Sequence, residues 1–388
     1  MKHAEPRTGR AFGLYVHWPF CESKCPYCDF NSHVAAGIDH DRWLRAYLSE
    51  IERLGRELPA LRLQTIFFGG GTPSLMSPET VHAVVDSARH AWPGSNDLEV
   101  TLEANPGSSD RDRFRAFAQA GVNRISIGVQ SLRDDALVQL GRRHTVRDAR
   151  RAIEAGLETF GRVSIDLIYA RQHQTASEWR AELAEGLATG VSHLSLYQLT
   201  IEDGTVFQRR RAAGHLTGLP SDELAAALYE MTQEACAAAG RPAYEVSNHA
   251  TPGEECRHNL LYWSSADYAG IGPGAHGRLT LSGERVATEC IREPIPWLRR
   301  VEAAGSGEHP RIVLPAAEQF MEFLLMGMRL SHGIDLVEAA RLDPDGLDQD
   351  ATSEMIDDDL VVLHDGRLSA TPRGRLLLNT LIARMLAR

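Results

Sequence analysis

The chain has 388 residues, 41 basic and 52 acidic, and its net charge of -11 disfavours broad binding to the phosphate backbone of nucleic acid. No run approaches the roughly 18 apolar residues of a membrane helix, and the N-terminus lacks the apolar core of a secretory signal. The six cysteines suit no disulfide framework, which is typical of a protein from a reducing compartment. Charge, hydropathy and cysteines together lead us to expect a cytoplasmic protein with no nucleic-acid partner and no transmembrane segment.

An N-terminal tail over 1–12 precedes a long region in which short β-branched or aromatic runs alternate with helical stretches. Repeated βαβ units of this kind predict an α/β domain with a parallel sheet, over 13–245. The predicted strands lie at 14–16, 65–68, 98–102, 125–129, 163–168 and 194–197. The predicted helices lie near 40–57, 81–88, 109–120, 133–160, 177–188 and 221–238.

Three cysteines with the spacing C-x3-C-x2-C follow the first predicted strand: Cys21, Cys25 and Cys28. Thiolates are the usual ligands of iron–sulfur clusters, and three of them leave one iron of a [4Fe–4S] cluster open to a small molecule. A structural zinc site is the alternative, with His33 near enough in sequence to act as a fourth ligand.

Polar or glycine-rich residues stand at or near the ends of five consecutive predicted strands. The thiol triplet follows the first strand and the run 69–73, GGGTP, follows the second, so Gly70, Gly71 and Thr72 offer backbone groups to a ligand. Such a series fits the mouth of a parallel barrel better than a doubly wound sheet, which concentrates its site at one switch point. The later strands contribute Glu103, a potential acceptor for ribose hydroxyls, then Gln130 and Asp166, while Arg142 offers a planar fork for a carboxylate.

The remainder of the chain has a different pattern. Residues 246–309 hold the run HNLLYW at 258–263 and a glycine-rich loop, and end in a linker. Residues 310–388 combine helices with a hairpin around Asp365-Gly366, a strong turn signal, and a helix start at Thr371-Pro372. We predict a small α+β, winged-helix-like C-terminal domain.

The cysteine triplet, with an aromatic residue (Tyr27) before its last member, resembles the signature of the radical S-adenosylmethionine superfamily. The resemblance implies a [4Fe–4S] cluster, S-adenosylmethionine on the GGGTP loop, and a partial six-stranded (β/α)6 barrel. The order and spacing along nearly the whole chain are similar to the oxygen-independent coproporphyrinogen oxidase family. In that family the positions matching Tyr15, Tyr27, Gly70, Gly71, Thr72, Glu103, Gln130, Arg142 and Asp166 bind the nucleoside or frame the cluster.

Three departures from that oxidase stand out. Phe30 occupies the position of an additional cysteine, the segment before the triplet is short, and the usual Gly-Leu-Pro near Asp166 is replaced by 170–172, ARQ. The run HNLLYW resembles the haem-chaperone branch of the family, the HemW-like proteins. It implies haem as cargo, with His258 as a candidate axial ligand and Asn259, Tyr262 and Trp263 beside it. The alternative is that His258 is a hydrogen-bonded residue at the start of a core helix.

The resemblance therefore implies a metal-binding haem chaperone, related to porphyrin biosynthesis, that hands haem to proteins such as respiratory-chain enzymes and can form a homodimer. The alternative is an enzyme, an oxygen-independent coproporphyrinogen III dehydrogenase that decarboxylates its substrate by radical chemistry. Phe30 and the short N-terminal segment favour the chaperone without oxidase activity.

Overall fold

The computed structural model describes residues 10–35, 37–93 and 97–386; most of the predicted tail, residues 1–9, lies outside this range. Its main feature is a sheet of eleven strands. In chain order the strands are β1 (Ala11–Trp18), β2 (Arg62–Gly70), β3 (Glu99–Ala104), β4 (Arg124–Gln130), β5 (Arg162–Tyr169), β6 (His193–Gln198), β7 (Asn248–Ala250), β8 (Asp267–Ile271), β9 (His276–Leu281), β10 (Glu284–Glu289) and β11 (Ile312–Val313).

The order across the sheet is β11-β10-β9-β8-β1-β2-β3-β4-β5-β6-β7. Strands β1 to β6 follow one another in chain order and are parallel throughout. The two edge strands, β11 and β7, do not pair with each other in the described part of the chain, so the barrel is partial. The predicted α/β partial barrel with six consecutive parallel strands is confirmed.

A seventh parallel strand comes from the segment after the predicted barrel domain. Strand β8 pairs with β1 in parallel, with Phe12 opposite Asp267 and Val16 opposite Ile271. Strands β9 to β11 then extend this side of the sheet in antiparallel fashion. The sequence analysis treated 246–309 as an extension and linker; local periodicity does not reveal that it pairs with a strand some 250 residues earlier.

Helices cover the outer face of the sheet. The predicted stripe Val81, Val84, Val85 and Ala88 is buried on one of them. The helical stretch predicted at 133–160 consists of two helices. In chain order the helices of this region are α1 (His40–Glu57), α2 (Pro78–Ala91), α3 (Arg111–Gln119), α4 (Asp134–Gln139), α5 (Val146–Thr159), α6 (Ala176–Ala188), α7 (Val206–Ala212), α8 (Asp222–Ala238), α9 (Arg257–Trp263) and α10 (Pro294–Ala304).

The C-terminal region has a separate hydrophobic core, which includes Phe320, Leu324 and Met328. Helices α11 (Ala316–Gly327), α12 (Leu336–Leu342), α13 (Gln349–Asp357), α14 (Pro372–Arg375) and α15 (Leu378–Met385) surround a sheet of β12 (Ile334–Asp335), β13 (Val361–His364) and β14 (Arg367–Ala370). Strands β13 and β14 form the predicted hairpin, and Asp365 and Gly366 both have positive φ, as a type I′ turn requires. The predicted small α+β domain is confirmed. Within the described ranges, every helix is too short or too polar to cross a lipid bilayer.

Candidate functional site

A cavity of about 1260 Å³ opens where the carboxyl ends of the parallel strands meet. This is where a parallel barrel places side chains from many strands at once. Eleven of the residues predicted from the sequence line it: Cys21, Cys25, Tyr27, Cys28, Gly70, Gly71, Thr72, Glu103, Gln130, Arg142 and Asp166.

The three predicted cluster cysteines lie together in the loop over 21–28, here called the thiol loop. Each is partly exposed to the cavity and none forms a disulfide. The Thr72 hydroxyl donates to the Cys21 sulfur at 3.3 Å, and Nη1 of Arg142 donates to the Cys25 sulfur at 3.5 Å. Burial raises the pKa of Cys21 and of Cys28 in the absence of a metal. A positive metal centre would offset that cost, because a coordinating thiol is deprotonated.

The donor set fits an iron–sulfur cluster better than a single zinc ion. His33, the candidate fourth zinc ligand, donates from Nε2 to the side-chain oxygen of Asn31 at 3.1 Å. Hydrogen-bond donors to thiolate sulfur, such as Thr72 and Arg142, are among the features that tune iron–sulfur clusters.

The GGGTP loop is pressed against the residues that lead into the thiol loop. Gly71 N donates to the Trp18 carbonyl at 2.7 Å, and Thr72 N donates to the Phe20 carbonyl at 2.8 Å. A Cβ at Gly71 would lie 2.6 Å from that Phe20 oxygen, and Gly70 has a φ of 106°. Only glycine allows this close approach, so the loop and the thiols share one fixed geometry.

Two carboxyl groups, Glu103 on β3 and Asp166 on β5, line the cavity. Burial, with the nearby charge of Asp166 as a second cause, raises the pKa of Glu103 to about 8. Burial also raises the pKa of Asp166 to about 6, although the Ser126 hydroxyl donates to Asp166 at 3.1 Å and opposes the rise. Both groups can therefore change protonation state when a hydrogen-bonding or cationic ligand enters.

Arg142 and Gln130 lie on the neighbouring wall. Nη2 of Arg142 donates to the Gly128 carbonyl at 3.0 Å, while its other nitrogen contacts Cys25. The Gln130 amide lies close to Gly128, and Gln130 itself has a positive φ of 66°. Arg142 thus connects the thiol loop to the end of β4.

Tyr15 does not line the cavity. Its hydroxyl donates to Nδ1 of His17 at 3.0 Å, and Nε2 of His17 donates to the Asn31 carbonyl at 2.9 Å. Burial lowers the pKa of His17 to about 4, which keeps the ring neutral. In this conformation Tyr15 is therefore linked through His17 to Asn31, three residues after Cys28, and does not face the cavity.

The candidate haem residues lie on α9, also away from the cavity lining. His258 is 1% exposed; Nδ1 bonds the Thr65 hydroxyl at 2.7 Å and Nε2 bonds the Tyr262 hydroxyl at 2.7 Å. Asn259 donates to the Tyr244 hydroxyl at 3.4 Å, and the Arg329 guanidinium lies over the Trp263 ring at 5.9 Å. Both ring nitrogens of His258 are occupied, so this conformation matches the alternative of a hydrogen-bonded core histidine and offers iron no imidazole from α9.

Among the residues that line the cavity but were not predicted from the sequence, Ser126 and Tyr197 come from the strands of the barrel. Ser126 lies on β4, and its hydroxyl donates a hydrogen bond to Asp166. Because alternate residues of a strand share a face, Ser126 is on the same side of β4 as Gly128, and this alternation could have identified it. Tyr197, at the end of β6 and 44% exposed, closes the series of strand-end residues. The strand-end rule used for the first five strands predicts a residue at this place as well.

Comparison with known proteins gives consistent results. The family model described as the radical SAM superfamily matches residues 15–184, and that of the HemN C-terminal domain matches residues 314–377. Radical S-adenosyl methionine domain-containing protein 1, mitochondrial, of Bos taurus is 38% identical, covering 99% of this chain and 89% of that protein. Heme chaperone HemW of Escherichia coli (strain K12) is 36% identical, covering 96% of this chain and 98% of that protein. The solved structure of coproporphyrinogen III oxidase (HemN) from Escherichia coli superimposes with a TM-score of 0.82 over 98% of this chain and 91% of that one; at 20% identity it shows a shared fold.

Proposed function

Because the chain belongs to the HemW-like family of radical S-adenosylmethionine proteins, we propose that it is a haem chaperone, which binds haem and delivers it to haem-requiring proteins. The observation that carries this proposal is the 36% identity over nearly the full length to a protein named heme chaperone HemW. Phe30, 57% exposed at the cavity, supports it, because a phenyl group stands where the related oxidase is expected to have a further thiol.

We propose that the thiol loop holds a [4Fe–4S] cluster, consistent with membership in the superfamily. S-adenosylmethionine would lie against the GGGTP loop, with Glu103, Gln130, Arg142 and Asp166 as polar partners. A bound cluster supplies an electron for reductive cleavage of that nucleoside in enzymes of this class. The protein's own groups orient the nucleoside and hold or release protons at Glu103 and Asp166.

We propose that haem binds at α9. This requires His258 to exchange its hydrogen bonds with Thr65 and Tyr262 for a bond to iron, because both ring nitrogens are occupied in the conformation described. Burial lowers the pKa of His258 to about 3, so the ring is neutral and needs no deprotonation before it binds metal. Trp263 and Tyr262 would then provide apolar contact for the porphyrin face.

The proposal includes the compartment, the acceptor proteins and the oligomeric state. The six free cysteines suit the reducing cytoplasm. The acceptors are haem proteins such as respiratory-chain enzymes, and the chain can act as a homodimer. We propose a division into a tail (1–12), a barrel domain (13–245), an extension (246–309) and a C-terminal domain (310–388). The separate core of the last region supports the final boundary, whereas the extension shares the core of the barrel.

One reconstituted sample tests the proposal against the oxidase alternative. The protein is reconstituted anaerobically with iron and sulfide, then divided between a haem titration and an assay with coproporphyrinogen III and S-adenosylmethionine. We expect stoichiometric haem binding, followed by transfer to an apo-haem acceptor, without decarboxylated product. Turnover of coproporphyrinogen III coupled to 5′-deoxyadenosine release would instead assign the protein as a radical dehydrogenase.

A further inference from the structure

A buried carboxylate outside the cavity connects the ends of two strands that form its wall. Glu182 lies on α6 and its side chain is 1% exposed. Oε1 of Glu182 accepts hydrogen bonds from the Ser131 hydroxyl and, at 2.7 Å, from the Leu132 amide. Both donors follow directly after Gln130, the last residue of β4.

The same carboxylate holds the segment that follows β5. Arg171 directs both terminal guanidinium nitrogens at Glu182, Nη1 at 3.2 Å from Oε1 and Nη2 in close contact with Oε2. Nη1 of Arg171 also donates to the Ile168 carbonyl at 3.0 Å. Ile168 and Asp166 line the cavity from β5, so Glu182 and Arg171 connect the ends of both strands from behind.

Both segments turn through a backbone conformation that their residues adopt reluctantly. Gln130 has a φ of 66° and Ala170 a φ of 55°, and neither is a glycine. Residues other than glycine keep a left-handed conformation where the surrounding structure enforces it. The four hydrogen bonds received by Glu182 fall immediately after Gln130 and Ala170, so they provide that enforcement.

A buried ion pair contributes little net stability, since the cost of removing both charges from water offsets their attraction. What a bidentate pair with further hydrogen bonds does supply is a fixed geometry. Glu185, on the same helix, shows the contrast: it pairs with Arg133 and Arg150 at the surface, at 39% exposure.

We propose that the Arg171–Glu182 pair is a positioning device, which holds the ends of β4 and β5 so that Gln130 and Asp166 meet the nucleoside in the cavity. This inference rests on the proposed binding of S-adenosylmethionine there. Neither residue of the pair lines the cavity, so they act only through the strand ends.

The test compares Glu182→Gln with the matched control Glu185→Gln in the full, reconstituted chain. Three quantities are measured: iron content, the affinity for S-adenosylmethionine from its perturbation of the reduced cluster's EPR signal, and hydrogen exchange of the peptide that contains Leu132. We expect Glu182→Gln to keep its iron and to exchange faster at Leu132. It should bind the nucleoside about tenfold or more weakly, as the loss of one hydrogen bond to a charged group produces. Glu185→Gln should match the parent protein in all three.

Unchanged affinity and exchange in Glu182→Gln, even with a lower melting temperature, would overturn the positioning role. If that variant does not fold, Arg171→Lys keeps the charge but loses the bidentate geometry, and it should show a smaller loss of affinity in the same direction. Parent protein that takes up iron but no S-adenosylmethionine would refute the proposed function. In that case, hydrogen exchange of the Leu132 peptide in Glu182→Gln would be the one measurement that still tests the positioning role.

Discussion

Protonation of Glu103 should govern how tightly the cavity binds a ribose. A bidentate pairing with two ribose hydroxyls needs both carboxylate oxygens as acceptors, whereas a protonated carboxyl turns one of them into a donor. Burial and the neighbouring Asp166 hold the pKa of Glu103 at about 8, so most of the free protein carries the protonated form near neutrality.

The magnitude follows from that pKa. Below about pH 8 the carboxylate fraction of Glu103 falls about tenfold per pH unit, and between about pH 8 and about pH 6 it falls roughly fiftyfold. The affinity for a nucleoside that pairs with the carboxylate should fall by the same factor. It should level off above about pH 8, where ionisation no longer requires proton release.

The assay is isothermal titration of the reconstituted protein with methylthioadenosine, which has the ribose of S-adenosylmethionine without its titrating amine. Buffers of different ionisation enthalpy report the protons released on binding. Glu103→Gln should bind weakly at every pH and should lose the inflection near pH 8. Asp166→Asn removes the neighbouring negative charge, so it should move the inflection to lower pH. An affinity that is flat or falls with rising pH in the parent protein, or an inflection near pH 8 that persists in Glu103→Gln, would refute the role of Glu103.

Other substitutions test the loop, the cluster and the haem site. Gly71→Ala should lower the free energy of unfolding by about 1–3 kcal/mol, because its Cβ would clash with the backbone that leads into the thiol loop. Gly107→Ala is the control, since its Cβ would meet nothing closer than 3.6 Å. Equal melting temperatures for the two variants would contradict the prediction. Cys25→Ala should lose the uptake of about four irons per chain, measured by iron analysis and EPR, and full uptake would exclude this ligand set. Thr65→Val should tighten haem binding by roughly twofold to tenfold, since it removes one hydrogen bond that keeps His258 from iron. His258→Ala should weaken haem binding and shift the Soret band, and unchanged titrations in both variants would place the haem ligand outside α9.

Local sequence patterns determined most of the barrel and the composition of its site. Strands β1 to β6 and α1 were predictable because alternation and helical periodicity are properties of neighbouring residues. The Asp365-Gly366 turn was predictable for the same reason, since a type I′ turn selects its own two residues. The strand-end rule predicted nine residues that line the cavity, because the carboxyl ends of parallel strands meet on one side; Tyr27 and Arg142 came from the family resemblance and from a side-chain argument.

Only the tertiary structure decided the features that depend on distant pairing. The parallel pairing of β8 with β1, the mutual proximity of Glu103 and Asp166, and the occupied nitrogens of His258 all join residues far apart in the chain. A sequence pattern reports which residues can share a face, but burial and the distance between two charges arise when separate elements pack together. The spacing of the cysteines therefore identified the chemistry of the thiol loop, whereas folding decided which groups contact its sulfurs and which histidines stay out of reach of a metal.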